Sequence, residues 1–506
     1  MDRLLYKPNN SIYGYNLLMA YPACESFALS SLGYLWLAKL AEELPWVNAE
    51  KIYTDSTKIS INPQEADAIA FSISFDFDFM GVFSILDKYN IPFLSKERNN
   101  NFPLIFAGGP VISTNPEPYK NFYDFMIIGD GEEVFLNVLK ILSKKMSKKE
   151  TLLELSTLDG VYVPNLSGKV IKNTVIFGEN IIYTPIISDK SYFKDTFIIE
   201  VSRGCMNRCA FCTASYLNLP FRANSFDKII EVIELGLQYT NKIALLGAQI
   251  SAHPQFDDII KYIEDKIDDG NDIELSISSL RTDSISPELI RTLVKSGQKT
   301  STIAIEAASE RLRKFINKNL NEEQILNAVK ISRENGLKGL KIYSMIGIPS
   351  ETQEDIDEFI RLAKLIKEKN KGFGITFSFS TFVPKPQTPL QWAKREDTKS
   401  LEKKQKYLEK ELAKIGLEVK FSSAKWDYWQ TILSRGDDTL TDFLIEVYKQ
   451  GGKIGAFKAA SKTLQPDISK MVEGYVIDES LPWDFIQNYP TKQLLLNEYN
   501  RLSKYL

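Results

Sequence analysis

Histidine is almost absent: His253 is the only one in 506 residues. That scarcity removes Ser-His-Asp hydrolysis, two-histidine metal sites and most histidine acid–base schemes unless all run through this residue. It follows Leu245-Leu246-Gly247-Ala248-Gln249-Ile250-Ser251-Ala252, in a loop past a predicted strand, where a histidine is ordinarily part of the loop and no more. Cysteine is nearly as sparse, with four in the chain, too few for a disulfide framework. No apolar stretch approaches the roughly 20 residues of a membrane span. The opening Met1-Asp2-Arg3-Leu4-Leu5-Tyr6-Lys7-Pro8 lacks a basic-then-apolar signal pattern, so the expected location is the cytoplasm. Internal repeats and low-complexity tracts are missing, as is a G-x-G-x-x-G fingerprint, which disfavours a dinucleotide. A net charge of −3 gives no basic field, so a polynucleotide partner is not indicated, and the pairs Lys144-Lys145 and Lys148-Lys149 read as solvated surface.

What is present is concentrated. Cys205, Cys209 and Cys212 fall within one short segment directly behind the apolar run Phe197-Ile198-Ile199-Glu200-Val201. Three thiolates make an incomplete set for structural zinc, which takes four ligands. Thiolates also select iron–sulfur clusters, and a cubane held at three corners keeps one iron open. A zinc knuckle completed by His253 or Cys24 is the competing reading of the same residues.

The segment Arg203-Gly204-Cys205-Met206-Asn207-Arg208-Cys209-Ala210-Phe211-Cys212 resembles the signature of the radical S-adenosylmethionine (SAM) enzymes, including the aromatic before the last cysteine, Phe211. The resemblance implies a 4Fe-4S cluster on Cys205, Cys209 and Cys212. Its open iron would chelate SAM, and an electron from the reduced cluster would yield a 5′-deoxyadenosyl radical. An electron donor such as flavodoxin or ferredoxin is then required.

With 44% hydrophobic and 25% charged residues, the chain is ordinary globular material for about three domains. From about 197 to 395, short β-branched runs alternate with helical patterns. Strands are predicted at 197–201, 242–247, 272–278, 300–305, 338–346 and 373–382. Six βα units fall short of the eight of a closed barrel, so a partial TIM-type barrel is expected, with its active face where strands run into loops. Polar groups at those strand ends converge on one cavity. They nominate Gly247, Ala248 and Gln249 after the second strand, Ser278 and Arg281 after the third, and Glu306 after the fourth; Ile346, Gly347 and Pro349 follow the fifth. The family resemblance makes these, with Phe211, the SAM contacts, although Gly347 and Pro349 also fit plain strand-to-helix punctuation.

Residues 1–147 form a second α/β pattern, with strands predicted at 15–21, 51–54, 67–74, 103–107 and 124–128 and helical stretches at 30–44, 79–89 and 132–142. This predicts a Rossmann-like, doubly wound sheet. Glycine turns follow strands at Ala107-Gly108-Gly109-Pro110 and Ile128-Gly129-Asp130-Gly131-Glu132-Glu133. A Rossmann-like domain before a radical SAM barrel resembles the cobalamin-binding radical enzymes, and the likeness continues through Ser279-Leu280-Arg281-Thr282-Asp283-Ser284, Tyr343-Ser344-Met345-Ile346-Gly347-Ile348-Pro349 and Phe382-Val383-Pro384-Lys385-Pro386. It implies cobalamin between the domains, against Ser72, Ser74, Gly108, Gly109, Gly129, Asp130, Gly131 and Glu132. A lower axial histidine is excluded in this domain, because none precedes position 253. Methyl transfer to an unactivated carbon of a small-molecule or peptide substrate follows from that domain order. The alternatives are radical rearrangement or cyclisation without methyl transfer, and a non-catalytic cobalamin or iron–sulfur binding protein.

Residues 148–194 alternate like short hairpin strands and predict a packed β-rich connector; the barrel is expected over 195–395. The charged, helical stretch 396–506 predicts a mostly helical C-terminal cap that shapes the substrate cavity, with Trp426 and Trp429 in its core.

Overall fold

The computed structural model describes residues 2–9, 14–178, 181–277 and 280–505. Its N-terminal part is a six-stranded sheet in the order Val47–Tyr53, Tyr15–Tyr21, Ala68–Ser72, Leu104–Gly108, Phe125–Ile127, Val161–Tyr162, in which only the last strand is antiparallel. Helices Leu32–Glu42, Phe79–Lys88 and Glu132–Leu142 cover it, each presenting an apolar face of buried residues such as Val138, Leu139 and Leu142. Each large side chain buried this way contributes about 1.5–3 kcal/mol. The edge strand Val47–Tyr53 begins earlier than the sequence predicts, because its half-buried Asn48 and Glu50 hide the apolar pattern.

The central region carries parallel strands in chain order. Thr196–Glu200, Lys242–Leu246 and Glu274–Ile277 form one sheet; Leu280–Arg281, Thr300–Glu306, Gly339–Ile346, Gly374–Thr381 and Glu418–Phe421 form the next. Ser278 and Ser279 are outside the described residues. One face of these strands is apolar and buried against helices: Phe197, Ile199, Ile243, Leu245, Leu275, Ile303, Ile305, Ile342, Phe377 and Phe379 share a single core. The other face carries Lys242, Glu274, Ser276, Thr302, Lys341, Tyr343, Ser378 and Ser380, none of them buried. The face opposite the core is therefore more polar and more open than the core face, although Ile198, Ala244, Leu246 and Ala304 also lie on it.

Glu418–Phe421 adds a strand that the six-unit count does not contain. A four-residue stretch of Glu-Val-Lys-Phe next to a long charged helix, Thr398–Lys414, carries too little pattern to be legible alone. The connector also differs from the hairpin expected there. Val161–Tyr162 joins the N-terminal sheet, Val170–Ile171 pairs with Ile486–Gln487, and Ile186–Ile187 pairs with Arg3–Leu4. Its strands bind distant segments rather than one another.

The C-terminal helices Ala424–Arg435, Thr441–Lys449 and Ile454–Leu464 pack on the N-terminal sheet, sharing a core that joins Phe71, Phe79 and Phe83 to Trp429, Phe443 and Phe457. Trp429 is core, as expected, and Trp426 packs edge-on to Phe77 and Phe457. Among the described residues, no helix is long and apolar enough to cross a membrane.

Candidate active site and interdomain cavity

All three clustered cysteines lie on one loop, residues 204–221, closed at its base by the antiparallel pair of Ser202–Arg203 with Arg222–Ala223. Gly204 enters the loop at φ +87°, where an added Cβ would stand 2.4 Å from the Asn218 carbonyl oxygen, so the turn requires glycine. Main-chain bonds brace the cysteines: Cys212 N–H donates to Cys209 O at 3.0 Å, and Ala210 N–H to Ile316 O at 2.9 Å. The Arg208 carbonyl, on a residue with φ +50°, accepts from the Tyr216 hydroxyl at 2.7 Å and Asn317 Nδ2 at 2.9 Å.

None of the four cysteines is in a disulfide. Burial pushes the Cys209 thiol up to about 12, against the pull of the Lys318 charge, and burial raises Cys212 as well. Such thiols stay protonated until a metal displaces the proton. Among the described residues, no three His, Cys, Asp or Glu side chains are placed to hold one ion. The proposed fourth zinc ligands are engaged elsewhere. His253 is buried, its Nε2 bonded to Asn224 O at 2.7 Å and its Nδ1 accepting from Gln255 N–H at 3.0 Å. Cys24 sits at the start of helix Glu25–Ala28, 3.4 Å from Ser26 Oγ. Three unpaired thiols on a braced loop suit a cluster held at three corners.

Several residues nominated from the sequence surround this loop. Gln249 Oε1 accepts from Cys205 Sγ at 3.2 Å and from Asn207 Nδ2. Glu306, at φ +64° beside a register shift in its strand, pairs with the buried Lys318 at 3.1 Å; both act electrostatically on Cys209, as does Arg281. Arg281 Nε lies 2.7 Å from Asp283. Phe211 packs against the small core of Ala210, Met345, Ile348 and Phe382. Gly247 is a close-approach position, since a Cβ there would lie 2.5 Å from Ser202 Oγ; Ala248 beside it is exposed. Ile346 is buried in the main core. An added Cβ at Gly347 would stand 2.6 Å from Leu401 Cδ2, and the Gly347 N–H donates to Glu351 at 2.8 Å; Pro349 follows half-buried. Ser278 lies outside the described residues.

A cavity of about 370 Å³ opens where the parallel strands of the N-terminal sheet end. Ser72, Ser74, Gly108, Gly109, Gly129, Asp130, Gly131 and Glu132 all line it, together with Tyr34, Trp36, Phe71, Phe106 and Phe135. Glu200, Arg203, Leu217, Asn218 and Leu246 form its far wall, so the cysteine loop and the cavity share a boundary. No residue of 396–506 lines this cavity. Its carboxylates are turned toward arginines: Arg203 lies 2.9 Å from Asp130, 2.6 Å from Glu132 and 2.7 Å from Glu200, and Arg222 reaches Asp130 at 2.5 Å. The arginines hold the Asp130 carboxyl below the usual carboxylate range, although burial opposes them.

Residues 199–363 match the family profile described as the radical SAM superfamily, and residues 39–164 that described as radical SAM proteins, N-terminal. A protein of Methanocaldococcus jannaschii described as uncharacterised is 31% identical over 386 residues, 75% of this chain and 80% of that protein. The chain belongs to the radical SAM superfamily. A Pyrococcus horikoshii protein named as an uncharacterised methyltransferase is 28% identical over 305 residues, covering 57% of this chain and 64% of its own length. Among solved structures, the cobalamin-dependent SAM radical enzyme OxsB with aqua-cobalamin bound is similar with a TM-score of 0.59 at 15% identity, over 97% of this chain and 80% of that one. At that identity the likeness is one of fold.

As a radical SAM enzyme the chain requires a 4Fe-4S cluster, SAM, a reductant and a substrate. Sequence reasoning missed Arg222 and Lys318 around the cysteine loop, and quoted Arg203 and Asn207 only as part of the signature. Arg222 and Lys318 act through partners with no fixed spacing to them, and no local pattern marks them. Asn207 lies inside the signature, two residues past Cys205, and its contact with Gln249 across the loop has no local pattern.

Proposed function

We propose that this radical SAM enzyme binds cobalamin in the cavity between its N-terminal sheet and its cysteine loop, and transfers a methyl group to an unactivated carbon of a small-molecule or peptide substrate. The proposed organisation is a Rossmann-like domain over 1–147, a connector to 194, a partial barrel whose two central sheets continue one another, and a mostly helical region from 396. The observation that carries the proposal is the shared wall: Arg203 stands immediately before the cysteine loop and lines the cavity. The N-terminal strand order reverses between Tyr15–Tyr21 and Ala68–Ser72, the kind of position where open parallel sheets take ligands. The fold likeness to OxsB and the named methyltransferase of Pyrococcus horikoshii support the same conclusion.

When bound, the cluster and SAM supply an oxidant for a C–H bond and cobalamin supplies a methyl donor. The chain's own residues bind and orient. Cys205, Cys209 and Cys212 hold the cluster, and Gln249 and Asn207 fix the Cys205 side chain. Two ion pairs, Glu306 with Lys318 and Arg281 with Asp283, place charge beside Cys209, where the polar ends of SAM would bind. Tyr34, Trp36, Phe71 and Phe106 give the cavity apolar walls that exclude water. With no histidine in the wall, cobalt would be held without one. Thr302, Tyr343, Ser378 and Ser380 on the more polar face of the central strands offer hydrogen bonds to a polar substrate.

Oxygen-free reconstitution with iron, sulfide and hydroxocobalamin, then gel filtration and extraction, tests the cofactor. Stoichiometric corrinoid retained with the protein is expected; none retained overturns the methyl-transfer reading. Label from methyl-labelled SAM in the product supports methyl transfer, and an unlabelled, rearranged product overturns it.

A further inference from the structure

Asp130 lines the cavity, yet both of its carboxylate oxygens are already taken. In the ribbon that closes the cysteine loop, Arg203 stands directly opposite Arg222. Like charges facing each other on paired strands repel. Asp130 reaches across from the N-terminal sheet and bridges the two, Oδ1 at 2.9 Å from Arg203 Nη1 and Oδ2 at 2.5 Å from Arg222 Nη1. Its Oδ2 also accepts from Val175 N–H at 2.9 Å, and its carbonyl from Asn173 Nδ2 at 2.6 Å. The Phe177 ring lies against both guanidinium groups, at 5.5 and 5.6 Å.

Arg203 keeps two other carboxylates, Glu132 and Glu200; among the described residues Arg222 has only Asp130. Arg222 in turn donates to the carbonyls of Asn218 at 3.2 Å and Pro220 at 3.1 Å, inside the cysteine loop. The chain of contacts thus runs from the N-terminal sheet through Asp130 and Arg222 into the loop that carries the cysteines.

We infer that Asp130 is a positioning residue for the cluster loop: from the N-terminal domain, it neutralises the paired arginines at the loop's base and so sets the conformation in which the three cysteines are presented. The inference rests on the proposed role of those cysteines in holding the cluster. It gives Asp130 a task distinct from ligand contact, and it makes the cluster loop dependent on a domain that carries none of its cysteines.

Hydrogen exchange on the iron-free full-length protein tests the clamp without any cofactor. Asp130→Asn leaves Arg222 without a carboxylate, and amides of residues 204–221 should exchange roughly tenfold faster or more, because an uncompensated buried charge is strongly destabilising. Thr196–Glu200, in the adjoining sheet, should be unchanged. Asp130→Glu should restore most of the protection. The double variant Asp130→Asn with Arg222→Gln should be no worse than the worse of its two single variants, since they remove one coupled pair. In reconstituted Asp130→Asn, the reduced cluster should give a broadened paramagnetic resonance signal. Wild-type exchange in Asp130→Asn, or additive losses in the double variant, would overturn the inference. If the wild-type protein took up no iron, the reading of the cysteines would fall, and the exchange comparison would still decide the clamp.

Discussion

Cys205 Sγ lies 3.2 Å from Gln249 Oε1, so a thiol of the cysteine loop is hydrogen-bonded to a side chain just past the end of strand Lys242–Leu246. Asn207 Nδ2 joins the same pair, 3.5 Å from the sulfur. The cysteine loop and the end of the second central strand are therefore tied together by side-chain hydrogen bonds. Outer partners of this kind orient metal ligands.

Gln249→Leu should keep the fold, because the side chain is half-buried and lies outside the main core. Iron affinity or 5′-deoxyadenosine formation should fall about 10- to 100-fold. Iron titration and single-turnover product assays measure the two separately, and an unchanged value for both would remove Gln249 from the site.

Gly33 lies in helix Leu32–Glu42 on the cavity wall, and an added Cβ there meets no atom within 4 Å. Gly33→Ala should therefore stabilise the protein by about 0.5–1 kcal/mol through helix propensity. Gly33→Trp should block corrinoid uptake while iron content stays at the wild-type level. Thermal unfolding, corrinoid absorbance and iron assay together check this.

Burial raises Glu351 from the usual 4.5 to about 7, opposed by Lys404 at 2.7 Å and the Gly347 N–H. The folded carboxyl therefore holds its proton more tightly than the unfolded one, so stability falls as pH rises from about 4.5 to about 7 and the penalty is fully present above that. Glu351→Gln removes this titration, while Lys404 keeps Glu396 at 2.7 Å. Denaturant unfolding across that range should give a flatter pH dependence in the variant; an identical slope would contradict the assignment.

The sequence carried the strands well where burial is one-sided. Phe197, Ile199, Ile243, Leu245, Ile303 and Ile305 sit in short apolar runs between longer helical patterns, and those runs place each strand. The cysteine spacing and the glycines of the cavity were legible because their chemistry is local. What escaped depends on distant partners. Nothing near Asp130 announces Arg203 and Arg222, many residues downstream, and nothing in Val170-Ile171 announces Ile486-Gln487. Glu418–Phe421 is a strand because Gly374–Thr381 has an edge to offer. The charge pattern of the C-terminal helices gives length and face without naming the surface they cover, the core of Phe71, Phe79 and Phe83.

Cys209→Ala removes one of the three sulfurs, and iron content and SAM cleavage should be lost together. The buried thiol makes few polar contacts, so unfolding of the iron-free variant should match the iron-free parent. SAM cleavage surviving in this variant would move the site elsewhere.

The central claim is that three thiols hold a cubane with one open iron. Its most direct test is the paramagnetic resonance spectrum of oxygen-free, reconstituted protein after reduction, taken with and without SAM. A cubane signal whose g values shift when SAM is added is the predicted result. A silent spectrum from a tetrahedral zinc site, or a cubane signal indifferent to SAM, would contradict the account.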